Sequence, residues 1–274
     1  MTDASEWQGR TGESWATEWR RTDRSFSLLT EQLLAATRQF RFKTVLDVGC
    51  GAGELALAIA RGRPEVSVTG IDISLQLVDV ANSRAGNLTN IRFEACDAAA
   101  WTATPDKAPD LIISRHGVMF FDDPAAAFAH LAGQAQSGAG LLFSCFRERV
   151  RNPFFTEITR LLPQAPEPAP ADAPGPFAFA DSERVRGILT AAGWADFAAK
   201  PLDLPMIAGA GDDPVEEAVA YFLKIGPAAR AAAELDPAAR ERFITRLREL
   251  LSRHCFGGIV SLPAAMWLIT ARKG

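Results

Sequence analysis

The run VLDVGCGAGELALAIA at residues 45–60 constrains this chain more than any other stretch. An apolar strand ends in Gly49-Cys50-Gly51-Ala52-Gly53, and an apolar helix begins at Glu54. Glycine is required where backbone takes positive φ or must pass close to a ligand. At a strand-to-helix turn, free N–H groups and the positive end of the helix favour a negatively charged or polar ligand group. Doubly wound α/β sheets bind their ligands at that position.

The surrounding sequence repeats the strand–helix alternation. Strands are expected at 44–49, 66–73, 91–97, 109–116 and 139–147, with helices at 54–62, 74–86 and 124–136. Near-continuous apolar strands alternating with helices imply a parallel sheet covered on both faces. Apolar residues from Trp15 to Phe40 recur at helical spacing, so 13–40 reads as a helix. Beyond residue 150 the alternation breaks. PQAPEPAPADAPGP (163–176) reads as an exposed loop, 181–194 as a capped helix and 195–207 as a strand. Residues 213–255 read as mostly helical, and 263–273 as the closing strand. The economical plan is one domain over 1–274, without internal repeat. It comprises a helical cap at 1–42, a cofactor-binding core at 43–150, a Pro/Ala-rich loop at 151–180 and a helical lid at 208–258.

Composition narrows the partners. A net charge of −4 offers no broad attraction to a phosphate backbone, so nucleic acid is not expected. No stretch approaches the roughly 20 apolar residues of a membrane span, and MTDASEWQGR has no signal-peptide pattern, so a cytoplasmic location is expected. Four cysteines and three histidines sit without metal or disulfide spacing, so no metal is expected. Oligomeric state, monomer or homodimer, is left open.

The choice of ligand rests on three acids. A dinucleotide turn uses G-x-G-x-x-G, whereas Gly49, Gly51 and Gly53 follow G-x-G-x-G. Asp47, inside the strand before the turn, would repel a pyrophosphate but attract a cation. Asp72 ends the second strand, where a carboxylate can accept ribose hydroxyls; Asp97 ends the third, where it can accept from an exocyclic amine. An ammonium, a sulfonium, a ribose and an adenine amine occur together in S-adenosyl-L-methionine.

On VLDVGCGAGELAL, VTGIDIS, CDA and DLIISRHGVMFFDDP the chain resembles the class I S-adenosylmethionine-dependent methyltransferases, of the small-molecule type similar to those of ubiquinone and menaquinone biosynthesis. WQGRTGESW, GPFAFADSERVRGILTAAGW, YFLKIGPAAR and LPAAMWLITARK extend the likeness over most of the chain. The resemblance implies a Rossmann-like, seven-stranded, mostly parallel sheet with the last strand antiparallel. It places Asp47 and the glycine turn around the methionine part, Asp72 on the ribose, and Ile73 and Leu77 about the adenine. Asp97 and the Ala98 backbone would read the adenine amine, Ser114 would sit near the methyl group, and Trp15 would close over the cofactor.

On the acceptor side, His116 follows the fourth strand, and its reference pKa of roughly 6.5 suits proton removal at neutral pH. Relatives often carry an aromatic or apolar residue there, so the family does not supply this role. Phe120, Phe121, Phe177, Phe179, Tyr221 and Phe222 are candidates for an apolar acceptor pocket or for ordinary core; Phe120, Phe177 and Tyr221 are chosen as substrate contacts. Arg20, Arg21 and Arg24 fit either a substrate carboxylate or a solvated helix face. The expected activity is methyl transfer to a small, partly apolar, aromatic or quinone-like acceptor, with oxygen favoured because of His116. Carbon or nitrogen transfer, and a non-catalytic S-adenosylmethionine-binding regulator, stay open.

Overall fold

The computed structural model of the chain describes residues 4–165, 167, 169, 170 and 173–274. Part of the proline-rich 163–176 segment therefore lies outside the described residues. In chain order the elements begin with α1 (Ala4–Gln8), α2 (Arg10–Thr17), α3 (Trp19–Ser25) and α4 (Ser27–Ala36). The alternating part follows: β1 (Thr44–Val48), α5 (Glu54–Gly62), β2 (Ser67–Asp72), α6 (Leu75–Ala85), β3 (Ile91–Ala95), β4 (Leu111–Arg115), α7 (Pro124–Gln134) and β5 (Gly140–Phe146). The remainder is α8 (Pro153–Arg160), α9 (Ser182–Ala191), β6 (Trp194–Ala210), α10 (Pro214–Phe222), α11 (Pro227–Ala233), α12 (Pro237–Arg253), β7 (Cys255–Phe256) and β8 (Ile259–Lys273).

The strands form one sheet in the order β3-β2-β1-β4-β5-β8-β6, with β7 paired to β8. β1 to β5 are mutually parallel, and β8 runs antiparallel to both β5 and β6. The mostly parallel sheet with an antiparallel last strand agrees with the reading of the sequence. β1, β4 and β5 are buried almost throughout because helices cover both faces, which is why they read as unbroken apolar runs. β1 has β2 on one side and β4 on the other, so the direction of winding reverses between β1 and β4. The crevice above the carboxyl ends of strands at such a reversal is the ligand position of open α/β sheets. The glycine turn leaves β1 there, and His116 leaves β4 there.

Capping places the helices. Asp123, Asp181, Asp213 and Asp236 each accept a backbone N–H in the first turn of α7, α9, α10 and α12, and Ser74 does so for α6. Three details differ from the sequence expectations. The expected helix over 13–40 is broken at Glu18 and Phe26, whose backbones leave helical geometry (ψ 16° and 15°). Each break re-aims the apolar face, turning Trp15 toward Trp7 and Phe26 toward His116. The expected 151–180 loop contains α8, which buries Phe154, Phe155 and Ile158. An eighth, two-residue strand, β7, hairpins onto β8 through Gly257 and Gly258, both at positive φ, the geometry a two-residue turn requires.

Candidate functional site

A cavity of about 2060 Å³ opens above the carboxyl ends of β1, β2 and β4. A single-ligand site occupies roughly 300–1,000 Å³, so this one has room for two ligands side by side. Among the residues singled out in the sequence, Trp15, Asp47, Gly49, Gly51, Asp72, Ile73, Leu77, Asp97, Ala98, His116, Phe120, Phe177 and Tyr221 all line it.

At one end stands the glycine turn. Gly49 has φ +64°, and a Cβ there would lie 2.7 Å from the Cα of Gly117, so only glycine lets the β1 and β4 turns close on one another. Gly51 faces the cavity, while Gly53 turns away from it at the N-terminus of α5 and backs onto Phe93. The Asp47 carboxylate is buried, and neither oxygen has a hydrogen-bond partner among the described residues. Burial pushes its pKa up to about 7; Arg115 and the backbone at Ala56 offset only part of that cost. A buried carboxylate without a partner is costly, and a ligand cation would relieve it.

Asp72 is also buried, but it is satisfied. One oxygen accepts from Gly51 N (2.8 Å) and the other from Ser74 N (2.9 Å), so it holds the glycine turn and the start of α6 in register. Burial raises its pKa, and these backbone donors act against the rise. Two accepted bonds leave lone pairs free for hydroxyl groups. Asp97 is exposed at the rim, where its own Oδ1 accepts from Ala99 N (2.9 Å). Ala98 and Leu77 are buried along the same wall. Ser114 is not on the cavity wall. Its buried hydroxyl accepts from Gly117 N (3.1 Å) and Val118 N (3.3 Å), because the turn after β4 needs those donors satisfied. The position near a methyl group implied by resemblance does not match that orientation.

His116 occupies the other end. Its φ is +65°, an uncommon backbone for a non-glycine residue. The ring stacks on Phe146 (4.2 Å between centroids, 16° between planes) and meets Phe26 edge-on at 5.2 Å. Nδ1 lies 3.4 Å from Ser144 Oγ, and Nε2 is buried without a partner. Burial and the adjacent Arg115 push its pKa down to about 3, so the ring is neutral throughout the physiological range. The ordinary imidazole value expected from the sequence does not hold here. From Phe146 the aromatic wall continues to Phe154, Phe155 and Phe177 at 5.5–6.1 Å, and Arg149 lies 4.8 Å over the Phe177 ring.

Two ion-pair networks surround the cavity, and neither was anticipated. Arg115 donates to Glu54 (2.6 Å), Asp23 (3.3 Å) and the Thr30 hydroxyl (2.9 Å), and Arg84 also reaches Asp23 (2.7 Å). Burial and the adjacent Asp23 outweigh Arg115 and raise the pKa of Glu54. Arg21 pairs with Glu18 (2.5 Å) and through two donors with Glu217 (3.0 and 2.9 Å), which raises its own pKa further. Arg24 reaches Glu217 and the carbonyl of Ala208. Arg20 lies 4.3 Å over the Trp19 ring. Arg21 and Arg24 thus tie the N-terminal helices to α10, and Arg21 also lines the cavity. Trp7 was also missed; it packs edge-on against Trp15 (5.4 Å) and Phe120 (5.1 Å), and its eight-residue spacing from Trp15 was the available signal. Among the described residues no cluster of His, Cys, Asp or Glu could hold a metal ion, and no helix is long and apolar enough to cross a membrane.

A sheet of this order, with a glycine turn at its winding reversal and acids at three strand ends, defines the class I S-adenosylmethionine-dependent methyltransferase fold. The sequence comparison agrees: residues 45–138 match the family model described as a methyltransferase domain. Trans-aconitate 2-methyltransferase of Methylobacterium radiotolerans is 33% identical over 110 residues, 40% of this chain and 40% of that protein. Malonyl-[acyl-carrier protein] O-methyltransferase of Paenibacillus sp. is 29% identical over 105 residues, 37% of this chain and 38% of that protein. The alignments thus span about two fifths of the length of these curated relatives. Phosphoethanolamine N-methyltransferase 2 of Haemonchus contortus, solved with S-adenosyl-L-methionine, superposes with a TM-score of 0.52 at 16% identity, over 89% of this chain and 53% of that one; this likeness concerns the fold.

Proposed function

We propose that this chain transfers a methyl group from S-adenosyl-L-methionine to a small, partly apolar acceptor, with oxygen as the accepting atom. The observation that carries the reading is Asp47, a buried carboxylate with both oxygens unpartnered, facing the cavity beside the glycine turn. It suits the ammonium of the cofactor's methionine part. The Gly49–Gly51 backbone would cradle that part, Asp72 would accept the ribose hydroxyls, and Ile73, Leu77, Asp97 and Ala98 would hold the adenine. When bound, S-adenosylmethionine supplies a methyl group on a sulfonium, which is its own leaving-group drive.

The chain's share of the reaction is alignment and exclusion of water. Trp15 with Trp7 covers the cofactor end, and Phe120, Phe177 and Tyr221 bound the acceptor. Neutral His116 accepts a hydrogen bond at Nε2 from the acceptor's hydroxyl and so orients its oxygen, and the hydroxyl proton leaves to water as the oxygen is methylated. Ser144 beside Nδ1 supports the proton on that nitrogen, leaving the Nε2 lone pair toward the cavity. A second reading, a carboxylate acceptor, follows the names of the curated relatives. Half-buried Arg149 over Phe177 is the feature that favours it.

Calorimetry tests the first step. S-adenosylmethionine and S-adenosylhomocysteine should bind and NADH should not, and Asp72→Ala should weaken binding by about tenfold or more while the chain still melts cooperatively. Unchanged affinity in that variant would remove Asp72 from the ribose.

A further inference from the structure

Asp47 suits a ligand ammonium only while it is ionised, and its burial opposes ionisation. We infer that Arg115 is a positioning residue of the cofactor site: its guanidinium, fixed by Glu54, Asp23 and Thr30, keeps Asp47 charged through space and ties the N-terminal helices to the glycine turn. The inference rests on the proposed contact between Asp47 and the cofactor's ammonium, and adds the residue that sustains it.

The sheet places the two groups together. β1 and β4 pair in parallel with Asp47 beside Ile113. Alternate residues of a strand share a face, so Arg115, two residues on, projects from the same face as Ile113 and Asp47. Both Asp47 and Arg115 line the cavity. The guanidinium donates to Glu54 (2.6 Å), to Asp23 (3.3 Å) and to the Thr30 hydroxyl (2.9 Å), so α5, α3 and α4 together hold one side chain in place. That side chain is only 14% exposed, and a charge so shielded from solvent is weakly screened. Among the described residues it forms no ion pair with Asp47, yet it is the largest of the influences that oppose burial there.

The other charged and titratable groups around Asp47 do not share this task. Asp72 on β2 carries the same sign and pushes Asp47 toward its neutral form. The Cys50 thiol in the turn is held neutral, first by burial and then by the two acids. His116, next to Arg115, is neutral with its pKa near 3. Glu54 on α5 and Asp23 on α3 are acids, and Asp23 is shared with Arg84 of α6 (2.7 Å). Arg84 is itself committed: it donates to the carbonyl of Ala52 (2.6 Å) and lies over the Trp19 ring (3.8 Å). The two arginines thus bracket residues 52–54, and Asp23 joins both of them to the N-terminal helices.

Calorimetry of S-adenosylhomocysteine between pH 5.5 and 8.5 tests the assignment in the native chain and in three variants. Affinity should be lost as pH falls through the pKa of Asp47, because the ionised form is the one that takes the cation. A neighbouring cation lowers a carboxylate pKa by roughly 1–3 units, so Arg115→Gln should move the midpoint of the profile up by about one unit. Its affinity should then lie about tenfold below native at pH 6 and within about threefold at pH 8.5, where Asp47 is ionised in both chains. Arg115→Lys keeps the charge and should keep the native midpoint. A purely structural role would instead lower affinity by one factor at every pH, so parallel profiles for Arg115→Gln and the native chain overturn the inference. Glu54→Gln covers the case in which Arg115→Gln does not fold. It removes an acid and leaves Arg115, so the inflection should persist and move to lower pH. An inflection that moves up or stays in place overturns the inference, as does one that disappears, which would make Glu54 the titrating group. None of these outcomes touches the proposed methyl transfer. A native chain that does not bind S-adenosylhomocysteine would remove that reading, and a native affinity without inflection would remove the Asp47 contact alone.

Discussion

Asp47 holds its carboxylate in an environment that disfavours charge, and Arg115 and the Ala56 backbone compensate only part of the cost of burying it. Its folded pKa of about 7 lies above the ordinary carboxylate value of 3.8, so the fold binds that proton more tightly than the unfolded chain does. The group therefore costs nothing well below pH 4, costs more as pH rises toward 7, and costs its full amount above that. At roughly 1.4 kcal/mol per pKa unit the ceiling is about 4 kcal/mol. Asp47→Asn should raise the melting temperature of the ligand-free chain by several degrees at pH 8 and by less at pH 5. The same variant should weaken S-adenosylmethionine binding. In the native chain that affinity should be level above pH 7 and fall by about tenfold per unit below it, with one proton released per ligand bound. A pH-independent affinity measured from pH 5.5 to 8.5 would contradict a cation on Asp47. His116 illustrates the converse. Its place at the end of β4 and its neighbour Arg115 are readable from SRHGVMFF, but its pKa near 3 depends first on burial, which Phe26 and Phe146 supply from elsewhere in the chain.

Among the elements, α2 shows how one residue seats a helix. Gly12 lies inside α2, where alanine would normally favour the helix by about 1 kcal/mol. A Cβ at this position, however, would clash with the carbonyl of Trp7 and the hydroxyl of Ser74. That contact lets α2 rest directly on the start of α6, next to Asp72. Gly12→Ala should therefore lose more to overpacking, about 1–3 kcal/mol, than it gains from propensity. It should also weaken cofactor binding about tenfold by lifting Trp15 from the cavity. Melting temperature and calorimetry together check it; a stabilised variant with native affinity would show that α2 does not cover the site. Periodicity suggested one long helix here because it records apolar spacing and is blind to the two backbone breaks that divide the face. The cap of α9 was legible because it depends on a side chain and backbone N–H groups two and three residues away.

Taken together, the N-terminal helices, the sheet and the late helices enclose one cavity, and arginines join them. Asp23 binds Arg84 and Arg115 of the core, while Arg21 spans 196 residues of sequence to reach Glu217 in α10. Exposed ion pairs contribute little to global stability, about 0–1 kcal/mol, so Glu217→Gln should barely shift the melting temperature. Its effect should appear locally, as several-fold faster hydrogen exchange of α10 amides and weaker retention of a bound acceptor. Unchanged exchange in α10 would mean that the pair does not hold the lid.

By itself the sequence determined the alternating β/α order, the glycine turn and the three acids at strand ends. Those features depend on residues close together in the chain, and local geometry leaves a local pattern. Assembly alone decided which groups face each other across the cavity: the orphaned Asp47, the neutral His116 between two phenylalanines, Ser114 turned to its own backbone, and arginines committed to acids up to 224 residues away. Burial and charge pairing are properties of neighbours in space, and no linear spacing encodes them.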